Sequence, residues 1–593
     1  MPTLCEIKTT DWLRGIAMPL IGAILNESES LPDAAFDILP LAYQSGEGAD
    51  RANEIFRRLC EKPYEGDALA PYSYVKPRAA MRYYSISHAD AALRYITTYL
   101  ARQMKALNEK RKIPALTLMQ YGEIVSLCLF SYEETKKPQL LALAERWIKI
   151  GFDYSSYFNA FPHTEPMRRA MPPEQTARIL AGINDMQYSS ASEIDVYTQN
   201  TLTARGDIAA MGLRASAYRC IISGMKKDSD AAELGYAKLM KHHGAAITFT
   251  SDMHLAGREP SRLIWINAAC ETIRSLLDIV RINPMSASAG DLMDAAERIA
   301  VNLLPSAVRD GFVQEAQRVN QISCVYDRRA AYSLDGTAVM YKKISAQIET
   351  AAAIAGALSH FASNAWLVAD GALILNFPVA SVKTSFVGIS FAAELETDYP
   401  LGCNTKLAIT VSSQLRLDLL VRIPGFSRKT RIIRVNGELI EDTHNSYAVI
   451  SREWHTGDVV EIMFPNELRL EKTGASSASY FAGPVLLALP LTEKQSLSPD
   501  GSSMELTSDD KWAYGIRGDS APTKLGDALY ETEAFEVPSW NAKHAIAEAP
   551  PHISRRVADA GKAEKIKLVP YGRTMLRVAQ FPCLETEKLK RGE

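Results

Sequence analysis

The residues best suited to chemistry gather in one stretch, 248–275 (TFTSDMHLAGREPSRLIWINAACETIRS). There a polar loop carrying Asp252, His254, Arg258, Glu259 and Arg262 runs straight into an apolar helical segment. A helical enzyme commonly presents reactive groups this way, at the mouth of its core. Asp252, His254 and Glu259, with Glu271 on the following helix and Glu349 further along, supply the carboxylates and imidazole of an acid–base site. Such a site pairs one acid of raised pKa with one ionised base, and the distance between two carboxylates sets a retaining or inverting outcome if the bond cleaved is glycosidic.

Each of these residues also has a plain structural reading. His254 could pin its loop through hydrogen bonds, and Arg258 with Glu259 could form an ion pair that ties the loop down. Glu271 follows Trp265 by six positions, which on a helix turns it about 120° from that face, so the two need not share a pocket. Glu349 stands in AQIETAAAIAGA, an alanine-rich helix. Turned inward it would be desolvated and its pKa raised; turned outward it is a solvated helix residue. Tyr326 and Asp327 to Arg329 follow NQISCV in a loop that reads either as part of the mouth or as solvated surface.

Other chemistries find no motif. His242, His243 and His360 have no third ligand at metal spacing, and the chain shows no Gly-rich phosphate loop, GxSxG elbow or dinucleotide fingerprint. Cys5, Cys60, Cys128, Cys220, Cys270, Cys324, Cys403 and Cys583 are isolated, with no CxxC or CC pair, which argues against a disulfide framework or a local thiolate metal site. A net charge of −3 leaves no basic field for nucleic acid or an anionic membrane. With no basic-then-apolar leader and no apolar run near the ~20 residues of a membrane helix, the expectation is a soluble cytoplasmic protein. The partners expected are a small or sugar-like ligand, no nucleic acid and no membrane, with a homodimer left open; no cofactor is expected.

The elements that must position these residues follow from periodicity. At 593 residues the chain exceeds one core. Apolar residues at i, i+3, i+4 spacing predict helices over 92–107, 116–132, 138–152, 208–225, 231–243, 268–282, 291–304 and 346–366, separated by polar connectors such as EETKK and KKDSD. Helices in hairpin order over 1–365 fit an (α/α)6 barrel, a six-hairpin toroid, holding the active site. After Trp366 the period becomes two. Strands are predicted over 373–377, 407–411, 415–423, 430–435, 447–451, 458–464 and 485–489, with turn chemistry at Pro424-Gly425 and Asn436-Gly437. These imply an antiparallel β-sandwich over 366–490. Residues 491–593 read as an irregular region (494–548, rich in Ser, Asp, Pro and Gly) plus closing strands at 565–569 and 576–581. The fold class expected is thus α+β and multidomain.

Local strings carry a family resemblance. DMHLAGREPS at 252–261 resembles the D-E-H-L-x-G-R-x-P-S segment of the β-L-arabinofuranosidases of glycoside hydrolase family 127. AMGLR (210–214), RIAVNLLPSA (298–307), NQISC (320–324), VRIPGF (421–426), VNGE (435–438), REWHTGD (452–458), AGPVLLAL (482–489) and VPYGRTMLRVAQFP (569–582) resemble the same family in the same order. The resemblance implies a toroid followed by a sandwich. It also implies a zinc site of three cysteines and a glutamate, with one cysteine as nucleophile and a second glutamate as acid/base.

At the matching positions this chain has other residues. The acid/base glutamate falls on Met253, the E-x-C string on Trp265, Ile266 and Asn267, the CC pair on Glu349 and Thr350, and H-G-x-N on Arg205, Gly206, Asp207 and Ile208. Met, Trp, Asn and Thr make a poor zinc set, and no thiolate remains to act as nucleophile. The expectation is a divergent enzyme with a metal-free pocket, performing cyclisation or elimination of a metabolite or glycoside cleavage. Glu349, His254, Asp252 and Glu271 are its catalytic candidates; Trp265, Met253, Asn267, Arg258, Arg205, Gln321 and Tyr326 its binding candidates. The alternatives are an inactive ligand-binding relic and hydrolysis through an unrecognised residue set.

Overall fold

The computed structural model describes all residues except 1–2, 5, 28–32, 47, 167–181, 184–185, 259–261, 285, 326–339, 370, 442–445, 474–476, 538–539, 541–560 and 585–593. Among the described residues, twelve helices form the two rings of the N-terminal unit: α1 (Asp11–Glu27), α2 (Leu39–Ser45), α3 (Ala49–Glu61), α4 (Val75–Ser87), α5 (Asp90–Asn108), α6 (Tyr121–Thr135), α7 (Pro138–Ile150), α8 (Gly206–Ser223), α9 (Lys226–His243), α10 (Ile266–Ile282), α11 (Ala289–Ala307) and α12 (Ile348–Ser363), with shorter helices at Ala115–Met119, Tyr154–Ala160 and Val196–Thr203 in the connections. The even-numbered helices pack each on the next and α12 returns to α2, closing an inner ring; the odd-numbered helices lie outside. This is the six-hairpin toroid.

Sequence pattern decides which ring a helix joins. α5 buries one stripe, Ala92, Tyr95, Ile96, Tyr99, Leu100 and Gln103, and leaves its other face wet, as an outer helix should. α8, α10 and α12 are buried on nearly every face, with small residues where neighbours approach. Before α5, the sequence pattern singles out none of α1 to α4, because α2 is only seven residues long and α4 carries Arg78 and Arg82 on its buried side.

Two sheets form the following sandwich, and residues from the chain's start join both. Thr3–Leu4 pairs Trp366–Ala369 in the five-stranded sheet, and Glu6–Thr9 pairs Ala380–Phe386 in the seven-stranded one. Strands Asn404–Val411 and Leu415–Arg422 alternate buried and exposed positions, so each sheet turns one apolar face inward around Phe391 and Trp454. Pairing is antiparallel apart from Ala372–Leu375, which runs parallel to Leu415–Arg422.

The C-terminal region differs from the irregular stretch expected over 494–548. Its described part holds strands Lys494–Leu497, Ser503–Thr507, Tyr514–Arg517, Thr523–Gly526 and Leu529–Glu536. Four of them are only four or five residues long and are separated by polar turns, which hides the period-two signal in composition.

Gly122 on α6 sets the spacing of the inner ring. A Cβ there would lie 2.9 Å from the Ala215 Cα on α8. Gly122→Ala should therefore lower unfolding stability by about 1–3 kcal/mol in urea titrations, through overpacking against backbone. Gly15→Ala on α1, where a Cβ meets nothing within 4 Å, should be neutral or slightly stabilising.

Candidate functional site

The inner helices carry charge where a core is usually apolar. Glu271 on α10 accepts from Arg274 one turn on at 2.7 Å, lies 3.5 Å from Arg78 on α4, and is bound by the Arg214 guanidinium on α8. Arg78 also meets Glu123 on α6 at 3.1 Å and Asp37 at 2.8 Å, while Arg274 meets Asp37 at 3.1 Å. Arg214 adds a bond to Ser275 Oγ at 2.9 Å and a close pairing with Glu123. Burial works against ionising Glu271, but three guanidiniums overcome it and hold the carboxyl below its usual range. Asp37 is held down by Arg78 and Arg274 against the same burial. Breaking such a buried network costs several kcal/mol because the partners left behind are stranded.

Above this floor, at the N-terminal ends of the inner helices, lies the 248–275 stretch. Ser251–Asp252 and His254–Leu255 form a tight antiparallel pair in which Asp252 and His254 are register partners and Met253 is the tip, at φ 75°. Leu263–Trp265 runs parallel to Ser251 and antiparallel to Ala316–Arg318, completing a four-stranded cap over the toroid. The cap is fastened to α8: Gly206 donates to the Met253 carbonyl at 2.8 Å and Leu255 to the Ala204 carbonyl at 2.8 Å. Gly206 is required at that contact, since a Cβ would come within 2.6 Å of Ser251 Cβ. The cap also meets α10 and α12, because Glu315 accepts from the Ile266 N–H at 3.0 Å and its carboxylate lies 3.4 Å from Gln347 Nε2.

The predicted residues fall into distinct groups. Asp252 is half-buried, His254 is buried, Trp265 is buried at the start of α10, and Asn267 is half-buried in the first turn of that helix. Asn267 Oδ1 is enclosed without a hydrogen-bond partner among the described residues. Of the two readings open for Glu349 the structure shows the outward one: it is exposed in the first turn of α12, while Thr350 beside it is buried. Glu271 is likewise no acid of raised pKa, being locked ionised in the network. Arg205 is occupied, its fork closing on Asp207 at 2.8 and 3.1 Å and reaching the Tyr72 hydroxyl at 3.0 Å.

Arg258 is exposed and donates to the Thr473 carbonyl at 3.1 Å, a lip contact with the β region. Gln321 does not reach the mouth. It is fully buried, donating to the Met575 carbonyl at 2.8 Å and accepting from the Arg318 N–H at 3.2 Å. Tyr326, Asp327 to Arg329 and Glu259 lie outside the described residues.

Sequence reading missed Tyr72, Asp207 and Glu315. Tyr72, otherwise exposed, turns its hydroxyl to the Arg205–Asp207 pair, and burial of that hydroxyl pushes its pKa to about 12. Nothing in the local sequence marks it, since the contact spans 133 positions.

The positions that resemblance assigns to zinc do not fit the ion. Trp265, Asn267 and Thr350 offer no thiolate, imidazole or carboxylate, and Glu349, the one carboxylate among these positions, is exposed. The neighbouring Cys270 is fully buried in α10, where burial pushes its thiol well up. Among the described residues no group of three or more His, Cys, Asp or Glu is placed to hold a metal.

Comparison with known proteins bears on the fold. The chain has a glycoside-hydrolase-like fold: it overlays a glycoside hydrolase with TM-score 0.68 at 13% identity, covering 98% of each chain. A GH127 β-L-arabinofuranosidase from Geobacillus stearothermophilus T6 overlays with TM-score 0.60 at 15% identity, over 98% of this chain and 100% of that one. A GH127 β-arabinofuranosidase gives 0.52 at 13%, with 98% of both covered. Residues 374–466 match the GH127 β-L-arabinofuranosidase middle domain. The chain therefore resembles glycoside hydrolase family 127. No functionally curated protein matches its sequence. The matched segment is sandwich and lies outside the mouth. No helix among the described residues is long and apolar enough to cross a membrane.

The cap's attachment depends on a neutral histidine. His243 Nδ1 accepts from the Gly257 N–H at 3.0 Å while Nε2–H donates to the His163 carbonyl at 2.7 Å. Burial lowers the pKa of His243, and lowers His163 and His360 to about 4. Groups with folded pKa below the unfolded value near 6.5 take up protons preferentially in the unfolded chain, so stability falls as pH drops from about 6.5 toward 4. Melting temperature should decline across that window, before the carboxylates titrate; a flat profile from pH 7 to 4.5 would contradict it.

Proposed function

We propose that the chain is an enzyme performing acid–base chemistry on a small sugar-like or cyclic ligand at the N-terminal mouth of its toroid, without a zinc-held thiolate. The observation that carries this reading is Met253, a non-glycine residue at φ 75° fixed between two titratable neighbours, Asp252 and His254. Strain of that kind costs of order 1–3 kcal/mol and persists where the surrounding structure enforces it, commonly at functional sites. The cap enforces it here through the Gly206 and Leu255 bonds. Asp252 and His254 are the proton-transfer pair in this reading, Glu349 assists from the rim, and Trp265 and Asn267 line the ligand. Cleavage of a glycoside and elimination or cyclisation of a metabolite both suit such a pair.

A second reading, a ligand-binding relic, draws on Glu271: the deepest predicted carboxylate is locked by three guanidiniums and unavailable for proton transfer. One experiment separates them. Purified protein treated with EDTA is incubated with a panel of aryl glycosides and unsubstituted sugars, with products followed by mass spectrometry. The enzyme reading expects turnover that survives EDTA and falls roughly 100-fold or more in His254→Ala and Asp252→Asn, with melting temperature little changed. Ligand-induced stabilisation without turnover would favour the relic, and turnover abolished by EDTA would overturn the zinc-independent site.

A further inference from the structure

The toroid has a second opening that the mouth chemistry does not use. A cavity of about 50 Å³ lies beyond the ion network, toward the C-terminal ends of the inner helices, and five arginines and three carboxylates line it. It reaches the surface between Met81, Phe130, Glu133 and Arg281, each partly exposed. That space holds a few water-sized groups, the scale of a phosphate, sulfate or carboxylate rather than a sugar.

The charges around it are unevenly satisfied. Glu123 is engaged by Arg78 and Arg214. Asp278 accepts from the Tyr218 hydroxyl at 2.8 Å and from His360 Nε2 at 2.9 Å, and Glu133 stands at the opening. Arg82 is the exception. It is 6% exposed, no carboxylate among the described residues lies within ion-pair distance of it, and it donates to the Gly356 carbonyl at 2.5 Å. Its Nε, like those of Arg78 and Arg274, is enclosed with no hydrogen-bond partner among the described residues, but those two guanidiniums are closed on carboxylates and Arg82 is not. Burial, with Arg274 and Arg78 close by, brings its pKa down to about 9, so it remains cationic at neutral pH. A buried guanidinium with unused donors is costly unless an anion completes it, and its planar fork matches an oxyanion.

We propose that this cavity is a binding site for a small oxyanion, held in the fork of Arg82 and entering from the side of the toroid opposite the cap. The ligand is either inorganic phosphate or sulfate, or the carboxylate of a small metabolite.

The test uses the full chain. Phosphate, sulfate and malonate are titrated at constant ionic strength against chloride, with melting temperature and calorimetric heat as readouts. At least one oxyanion should stabilise the protein saturably where chloride does not. Phosphate or sulfate alone would identify a tetrahedral anion, and malonate alone a carboxylate. Arg82→Met should weaken the effect roughly tenfold or more. Arg82→Lys, which keeps the charge but loses the fork, serves as the milder variant should Arg82→Met fail to fold, and should weaken it too. His254→Ala, at the other end of the toroid, should leave it unchanged. The proposal falls if no oxyanion acts differently from chloride, if both Arg82 variants bind as the parent does, or if His254→Ala abolishes the effect.

Discussion

Glu271, ringed by Arg78, Arg214 and Arg274, is the interaction on which the rest of the toroid depends. Charges this deep lose their hydration, and the loss is recovered only if partners from separate helices meet within hydrogen-bond distance. Here the partners come from α4, α8 and α10, with Glu123 of α6 and Asp37 between α12 and α4 closing the set. The network therefore fixes the inner ring's radius and phase. It explains why α6 and α8 meet through Gly122 and Ala215: the residues that follow and precede that contact, Glu123 and Arg214, must touch.

The same network divides the toroid's interior. On the side of the helix N-termini it forms the floor of the mouth, under a four-stranded cap that carries Asp252, Met253 and His254. On the other side it backs a charged cavity. A carboxylate committed to three arginines cannot also exchange protons near neutrality, so in the proposed reading the proton-transfer groups are those of the cap and rim. Where the zinc-binding thiolates would stand by resemblance, the chain has instead Asn267, Glu349 and Thr350, and Trp265 stands where the zinc-binding glutamate would.

Much of the fold was legible because period and turn chemistry are local. The outer helix α5 and the strands around Trp454 show plain amphipathic or alternating patterns. The site was less legible, for a physical reason: an inner helix is buried on all faces, so its polar residues give no hint of inside or outside. Glu349 has an alanine-rich neighbourhood suited to burial, yet it is itself exposed in the first turn of α12. Gln321 sits in a family-like string but serves the packing of 575–577 against 314–321. The spacing Glu271, Arg274, Asp278 along one helical face was a signal of an internal charged stripe, though its partners Arg78 and Arg214 lie 193 and 57 positions from Glu271 and no local pattern links them.

The most direct measurement is urea unfolding of Glu271→Gln, which keeps the side chain's shape and removes its charge. Three guanidiniums would then share only Glu123 and Asp37, and stability should fall by about 3–5 kcal/mol, as when a buried ion pair is broken on one side. A loss below about 1 kcal/mol would show that the network does not hold the toroid together.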